Sequence, residues 1–598
     1  MWRAEGNLPT PSALRDLVVQ RLAGLNAAER DLLERLALCG PVSVVDVDAF
    51  GLSDAAERLE QVGLVDLLTE RRRRVLGIAH PMHADVLRDE LHSGRAREIY
   101  LDAAEAIEAR GMRRRTDVWR SAGWRFEAGA PVDPDLLLSA AETGRAAGDM
   151  ASACRLAERV WLDRRVPGDG LAYGEALSVT GQAGEAEAVV AVAQDEAAGG
   201  VPPDIALVAP IALIADCRSM NAFWGLSDPP LARTVLQDAR RTLGPTDGPA
   251  LVGAEAWMLA FDGRPTDALA LLETIDDGVL RARAVTAIPR ATALTLHGRT
   301  AEAIEVAQQG QADRAALGPD PVAAAPQLHL SAEIYALTEH GRLVEGTELC
   351  RHTHDAAVVD DDFLGVVFMG LSVGRLWLRR GRPRTALRWF RQVQPSSVFL
   401  RPMRRLSLVG ITVASVWLDD IEGARVALGE LREVPPSASF LAPEVGLAES
   451  WVAWAEGRPD DARQALFDAS ELARSSGQAT AELALLLDAA RLGGAGAVAS
   501  RVAELAAASQ SPFAAAIDAF VFGLARDDAD RLAEAGAAWE EMDARLLAAE
   551  AFVALAPSLR RDQQAREATA AEKTAAMLLE STEGARTRAS PSPTPWSP

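Results

Sequence analysis

Along most of the chain, apolar residues recur three and four positions apart and are broken by short polar stretches, the rhythm of amphipathic helices joined by tight turns. The clearest break is a six-residue frame, Gly-Arg-Pro-x-x-Ala, at Gly263 to Ala268, Gly381 to Ala386 and Gly457 to Ala462. Glycine accepts the left-handed position that closes one helix, and proline, which needs no amide partner, suits the first turn of the next. The frame therefore predicts a helical hairpin, with its alanine small enough for two helices to approach closely. Looser copies pair Gly148 with Ala153, Gly181 with Ala186 and Gly298 with Ala303, while Gly341 precedes Gly346 and Asp419 replaces the glycine before Ala424. From Gly263 onward the spacings are 35, 43, 40, 38 and 38 residues, the range of tetratricopeptide-like two-helix repeats. Between Gly181 and Gly263 there is room for one more, degenerate unit. Helical patterns at 481–492, 497–508, 514–524 and 531–554 continue the array without the frame. Trp257, Tyr335 and Trp451 each stand six residues before a frame, where stacked hairpins bury a face between repeats.

The N-terminal pattern is different. Helical spacing over 14–25 and 27–38 is followed by short helices at 44–50 and 54–62, with Asn26 and Glu29 forming a capping box and Gly63 a stop. Two short apolar runs, Leu64 to Leu68 and Val75 to Ile78, then flank the polar tip Glu70-Arg71-Arg72-Arg73-Arg74, which reads as a β-hairpin. Helices followed by such a hairpin predict a winged-helix-like domain. Arg71, Arg72, Arg73 and Arg74 are the candidate contact residues for nucleic acid or a partner, against the plainer role of keeping a hairpin tip solvated.

The run Leu8-Pro9-Thr10, Leu14-Arg15-Asp16-Leu17-Val18, Arg21-Leu22, Arg30-Asp31-Leu32-Leu33, Leu59-Glu60-Gln61-Val62-Gly63-Leu64 and His80-Pro81 resembles the winged-helix module of large LuxR-type ATP-binding regulators, within the signal-transducing NTPases. The order of these segments carries the likeness. In that family the module follows a nucleotide-binding domain and precedes a helical-repeat sensor arm, and Glu583 to Thr587 is similar to the stretch leading into a DNA-binding helix-turn-helix. The resemblance covers only the family's middle portion, without its nucleotide domain or C-terminal helix-turn-helix. It implies that a small effector or a protein partner binds in the groove of the arm, with DNA reached only if another chain supplies the helix-turn-helix.

Composition narrows the chemistry. A net charge of -23 disfavours general affinity for a polyanion. Cys39, Cys154, Cys217 and Cys350 are few and far apart, which fits reduced thiols in a cytoplasmic protein. No signal-like or membrane-spanning apolar run is read, since Leu207 to Ala215 is broken by Pro210 and stops at Asp216. The only lysine, Lys573, follows Glu572, so no phosphate-gripping Gly-x-x-x-x-Gly-Lys loop exists and no cofactor is expected. Gly370-Leu371-Ser372-Val373-Gly374 matches a serine nucleophile elbow in letters, but all eight histidines precede Ser372 and the segment fits a repeat helix. His80 with His83, and Cys350 with His352 and His354, lack a third or a convergent ligand, so no metal is expected.

The expectation is an all-α protein, a tetratricopeptide-like solenoid over 96–555 preceded by a winged-helix-like domain over 1–95, with a terminal helix and a disordered Ser/Pro-rich tail over 556–598. Its expected role is a non-catalytic, signal-sensing and protein-interaction scaffold. DNA binding through the winged helix and hydrolysis at Ser372 are the alternatives.

Overall fold

The computed structural model describes residues 18–70, 73–112, 115–199, 205–243, 248–318, 326–360, 362–395, 400–436 and 439–587. Leu8 to Leu17, Arg71, Arg72 and the Ser/Pro-rich Ala589 to Pro598 lie outside them. The chain divides into two compact units, Met1–Ala176 and Leu177–Pro598.

In the first unit, helix Ala27–Cys39 starts at the expected capping box. Asn26 Oδ1 accepts the N–H groups of Ala28 and Glu29 at 3.0 and 2.9 Å, and the Glu29 carboxylate accepts the Asn26 N–H at 3.0 Å. Helices Val44–Ala49 and Ser53–Gln61 follow, and the chain leaves the latter through Gly63 at φ +66°. Strands β2 (Val65–Glu70) and β3 (Arg73–Ile78) form the hairpin. A two-residue strand β1 (Val42–Ser43), too short to leave a periodic signal, completes an antiparallel sheet of order β1-β3-β2. Leu32, Leu33 and Leu36 pack with Leu59, Val65 and Leu87 to form its core. Helices Ser93–Ala109, Arg115–Glu127, Pro134–Ala146 and Met150–Arg164 complete the unit.

The second unit is an all-α array of antiparallel hairpins. Each frame residue occupies the left-handed region: Gly181 at φ +80°, Gly263 at +73°, Gly298 at +90°, Gly341 at +96°, Gly381 and Gly457 at +75°, and Asp419 at +66°. The alanines at 186, 268, 303, 386, 424 and 462 are fully buried. The degenerate unit is Ser227-Asp228-Pro229-Pro230-Leu231-Ala232, in which Ser227 takes the left-handed turn at φ +57° and Ala232 is fully buried. Asp527 and Gln563 do the same later, at φ +59° and +63°. A polar side chain that tolerates the left-handed region thus replaces glycine where the letters of the frame are lost. The array continues through helix Ala565–Glu580, packed on Arg545–Arg561.

The hairpins do not run out in a line. Residues about 200 positions apart touch in a regular series, so the unit coils into a superhelix whose second turn lies on its first. Ser509 Oγ donates to Gly298 O at 3.0 Å, Ser511 Oγ to Glu339 O at 2.7 Å, and Arg380 pairs with Asp543 at 2.5 Å. Nearer the start, Ser227 Oγ donates to Pro436 O at 2.9 Å, and Phe261 meets Phe440 edge to face at 4.7 Å. Gly263, Gly298, Gly341 and Gly381 lie on this seam: a Cβ on Gly381 would stand 2.7 Å from Leu546 N. Among the described residues one helical stretch, Ala479–Ala508, is long and apolar enough to cross a membrane, and 61% of its apolar window is buried within the protein.

Candidate functional site

Charged residues on the first helices of different hairpins pair with one another. Arg375 pairs with Glu444 at 2.9 Å and Arg379 with Glu339 at 3.3 Å. The tightest group is Asp488, Arg491 and Glu550. Arg491 Nε and NH2 donate to the two Glu550 oxygens at 2.7 Å each, and NH1 donates to Asp488 at 2.5 Å. Arg491 and Glu550 have side chains only 5% and 4% exposed, so the bidentate pair is desolvated as a unit. The rings of Trp417 and Trp451, edge to face with each other at 5.6 Å, both lie over the guanidinium, with centroids 5.1 and 4.9 Å from Cζ. Burial pushes the Asp488 carboxyl above the usual aspartate range, against the opposing pull of Arg491.

The backbone turns here. Residues Ala490–Gly494 join two helices across a kink at Gly493, which sits at φ +98° in the left-handed region, as the frame glycines do. Arg463 donates to the Leu492 carbonyl at this helix end, at 3.2 Å. The kink borders a cleft of about 430 Å³. Leu492, Phe520, Leu524 and Val553 supply apolar walls, Trp451 and the Arg491–Glu550 pair line it as well, and Gly496 and Thr587 stand at its border. The ion pairs are satisfied among themselves, and the lining is polar and apolar in similar measure. The Trp451 indole N–H, on a fully buried ring, has no hydrogen-bond partner. The volume lies in the range of small-ligand and short-peptide sites. Another cavity, on the seam near Gly298 and Ser509, is about 20 Å³, room for a water and little more.

The residues named from sequence lie elsewhere. Arg71 and Arg72 fall outside the described residues. Arg73 pairs with Glu70 along the backbone of the hairpin, and Arg74, opposite Thr69, is exposed. Ser372 lies inside helix Phe363–Arg379 and donates to Phe368 O at 2.9 Å, so the strand-turn-helix geometry of a nucleophile elbow is not formed and the hydrolase alternative fails. His80 caps helix Pro81–Glu90, its Nδ1 accepting the Met82 N–H at 3.3 Å, while His83 is buried beneath it. Cys350 and His354 share one buried face, His352 is exposed, and the Cys350 thiol, its pKa raised by burial, donates to Met369 O at 3.2 Å. Trp451, expected between repeats, packs against Trp417 and Trp454 and also faces the cleft. Asp488, Arg491 and Glu550 were not singled out from sequence. Their only trace there is charge inside apolar runs and the pair Gly493-Gly494 between the helical patterns 481–492 and 497–508.

No protein-family model matches the chain. No curated protein matches it. Among solved structures, the chain is similar to Rap protein complexed with Competence and Sporulation Factor, at 10% identity over 57% of this chain and 100% of that one, with a TM-score of 0.42. It is also similar, at 13% identity, to a Signal Transduction ATPase with Numerous Domains protein with a tetratricopeptide repeat sensor from Pyrococcus horikoshii, over 78% of this chain and 65% of that one, with a TM-score of 0.30. The Cut9-Hcn1 structure of the APC/C hetero-tetramer is a third, at 13% identity over 83% and 97% of the two chains, with a TM-score of 0.32.

Proposed function

We propose that this chain is a non-catalytic sensing scaffold, of the kind that forms the middle of LuxR-type regulators, and that it takes an apolar segment of a partner protein or a small apolar effector in the cleft beside Arg491. One observation carries the reading: a 430 Å³ cleft walled by Leu492, Phe520, Leu524 and Val553 lies next to a charge cluster whose members satisfy one another. A charged ligand would have to compete with the bidentate pair, whereas an apolar group packs on those walls. The order of helices, β1 and hairpin in the first unit supports the winged-helix-like part of the same reading. The site would act in the cytoplasm without a cofactor. Its mechanism is conformational, since a ligand between the 490–496 kink and helices Pro512–Arg526 and Arg545–Arg561 changes the pitch of the superhelix.

The test is to fill the cleft from its border. A Cβ on Gly496 meets no atom within 4 Å, so Gly496→Leu projects into open space and also replaces glycine in a helix. Titration with the neutral dye N-phenyl-1-naphthylamine, followed by its fluorescence, should show saturable binding to the wild type and at least a tenfold weaker affinity in Gly496→Leu, with thermal stability held or raised. Equal binding by both proteins would end the assignment of this cleft.

A further inference from the structure

Residues 581–587 leave the last helix, Ala565–Glu580, and cross back onto the first turn of the superhelix. There Glu583 caps a helix from which it is separated by nearly 200 positions. Its Oε2 accepts the Thr385 N–H at 2.9 Å and its Oε1 the Thr385 hydroxyl at 2.5 Å, at the start of helix Pro383–Val393, while Arg384 Nε donates to Glu583 O at 2.8 Å. A carboxylate at that end meets orphan N–H groups and the positive pole of the helix dipole. Three residues on, the Arg586 N–H donates to Trp417 O at 2.6 Å and its guanidinium pairs with Asp419 at 2.5 Å. Trp417 is one of the two rings that hold Arg491, and Thr587 borders the cleft. The strap thus grips the first turn at two points and ends at the candidate site. Thr582, Ala585 and Thr587 are buried, but the hydrogen bonds and ion pair to the first turn come from half-buried Glu583 and exposed Arg586, the type of contact that opens locally before the rest of a fold.

We propose that residues 581–587 are a latch that regulates the cleft: closed, it joins the two superhelical turns and restricts entry beside Arg491, and ligand exchange requires its release. The inference rests on the cleft being the ligand site, and the experiment separates the two. The variants are Glu583→Ala with Arg586→Ala, and Glu583→Gln alone, which keeps one acceptor oxygen. Hydrogen exchange read by mass spectrometry should quicken about tenfold or more in 582–587, at Thr385 and in 490–496 in the double variant, and less in Glu583→Gln. The association rate of N-phenyl-1-naphthylamine should rise in the same order, with the circular dichroism of the array unchanged. If 582–587 exchanges faster while 490–496 and the dye's association rate stay at wild-type values, the strap is not a gate and the proposal falls. If Gly496→Leu fails to weaken the dye, the cleft reading fails instead, and the latch is decided by exchange at 490–496 alone.

Discussion

The frame glycines can be made to report on the superhelix. Gly381 and Gly457 have the same backbone conformation, φ +75°, so alanine at either should cost the same left-handed penalty, about 1–2 kcal/mol. Their surroundings differ. A Cβ at Gly457 meets nothing within 4 Å, whereas at Gly381 it would stand 2.5 Å from Leu546 Cβ and 2.7 Å from Leu546 N, on the second turn. That clash is with backbone and cannot be relieved by rotating a side chain, so Gly381→Ala should lose about a further 1–3 kcal/mol. Gly429, an exposed helical glycine with open space around it, is the control, and Gly429→Ala should gain about 1 kcal/mol. Urea unfolding followed by circular dichroism gives the ranking. Because repeat arrays open in parts, hydrogen exchange at 542–548 shows where the loss falls. Equal losses for Gly381→Ala and Gly457→Ala, with unchanged exchange around Leu546, would refute the stacking of one turn on the other.

Two further outcomes follow from buried ionisable groups. His329 is 1% exposed, neither ring nitrogen has a partner, and burial lowers its pKa to about 4. A histidine held neutral in the folded state contributes stability above its unfolded value near 6.5, and that contribution is lost as pH falls from 6.5 toward 4. His329→Leu should therefore flatten the acid limb of a stability-pH curve by up to about 3 kcal/mol near pH 4, and an unchanged limb in urea melts across that window would contradict the assignment. Arg491→Leu should cost about 3–5 kcal/mol, because it leaves Asp488 and Glu550 buried without their cation, whereas leucine at all three positions should come close to wild type in the same melts.

Much of the array was legible because its signals are local. A glycine that must adopt a positive φ, a proline at a helix start and a small residue one turn later are all set within six residues, so Gly263, Gly381 and Gly457 announce their hairpins. Ser227 escaped notice because the turn needs only a residue that tolerates the left-handed region, and the letter changed while the geometry did not. The closure of the second turn on the first was not legible, since contacts such as Arg380 with Asp543 join positions with no periodic relation. The cleft was hidden for a related reason. Arg491 looks like an ordinary surface arginine near the end of an alanine-rich helix, and the carboxylate and tryptophans that bury it come from other hairpins.

An ion pair on the seam addresses a problem peculiar to repeats. Hairpins that share one frame present similar faces, so a second superhelical turn could settle on the first at the right step or one repeat away, with much the same apolar area buried. Apolar packing alone separates such registers poorly, because it is non-directional. Charges separate them well. Arg380 on the first turn has its carboxylate at Asp543 on the second, and a shift of one repeat would leave this largely buried guanidinium without it, at a cost of several kcal/mol. Arg380→Leu thus tests more than stability. It should broaden the transition and weaken the exchange protection at 542–548, because the turns would then stack in more than one register. A sharp transition with protection retained would show that the seam hydrogen bonds of Ser509 and Ser511, with the strap, set the register without this ion pair.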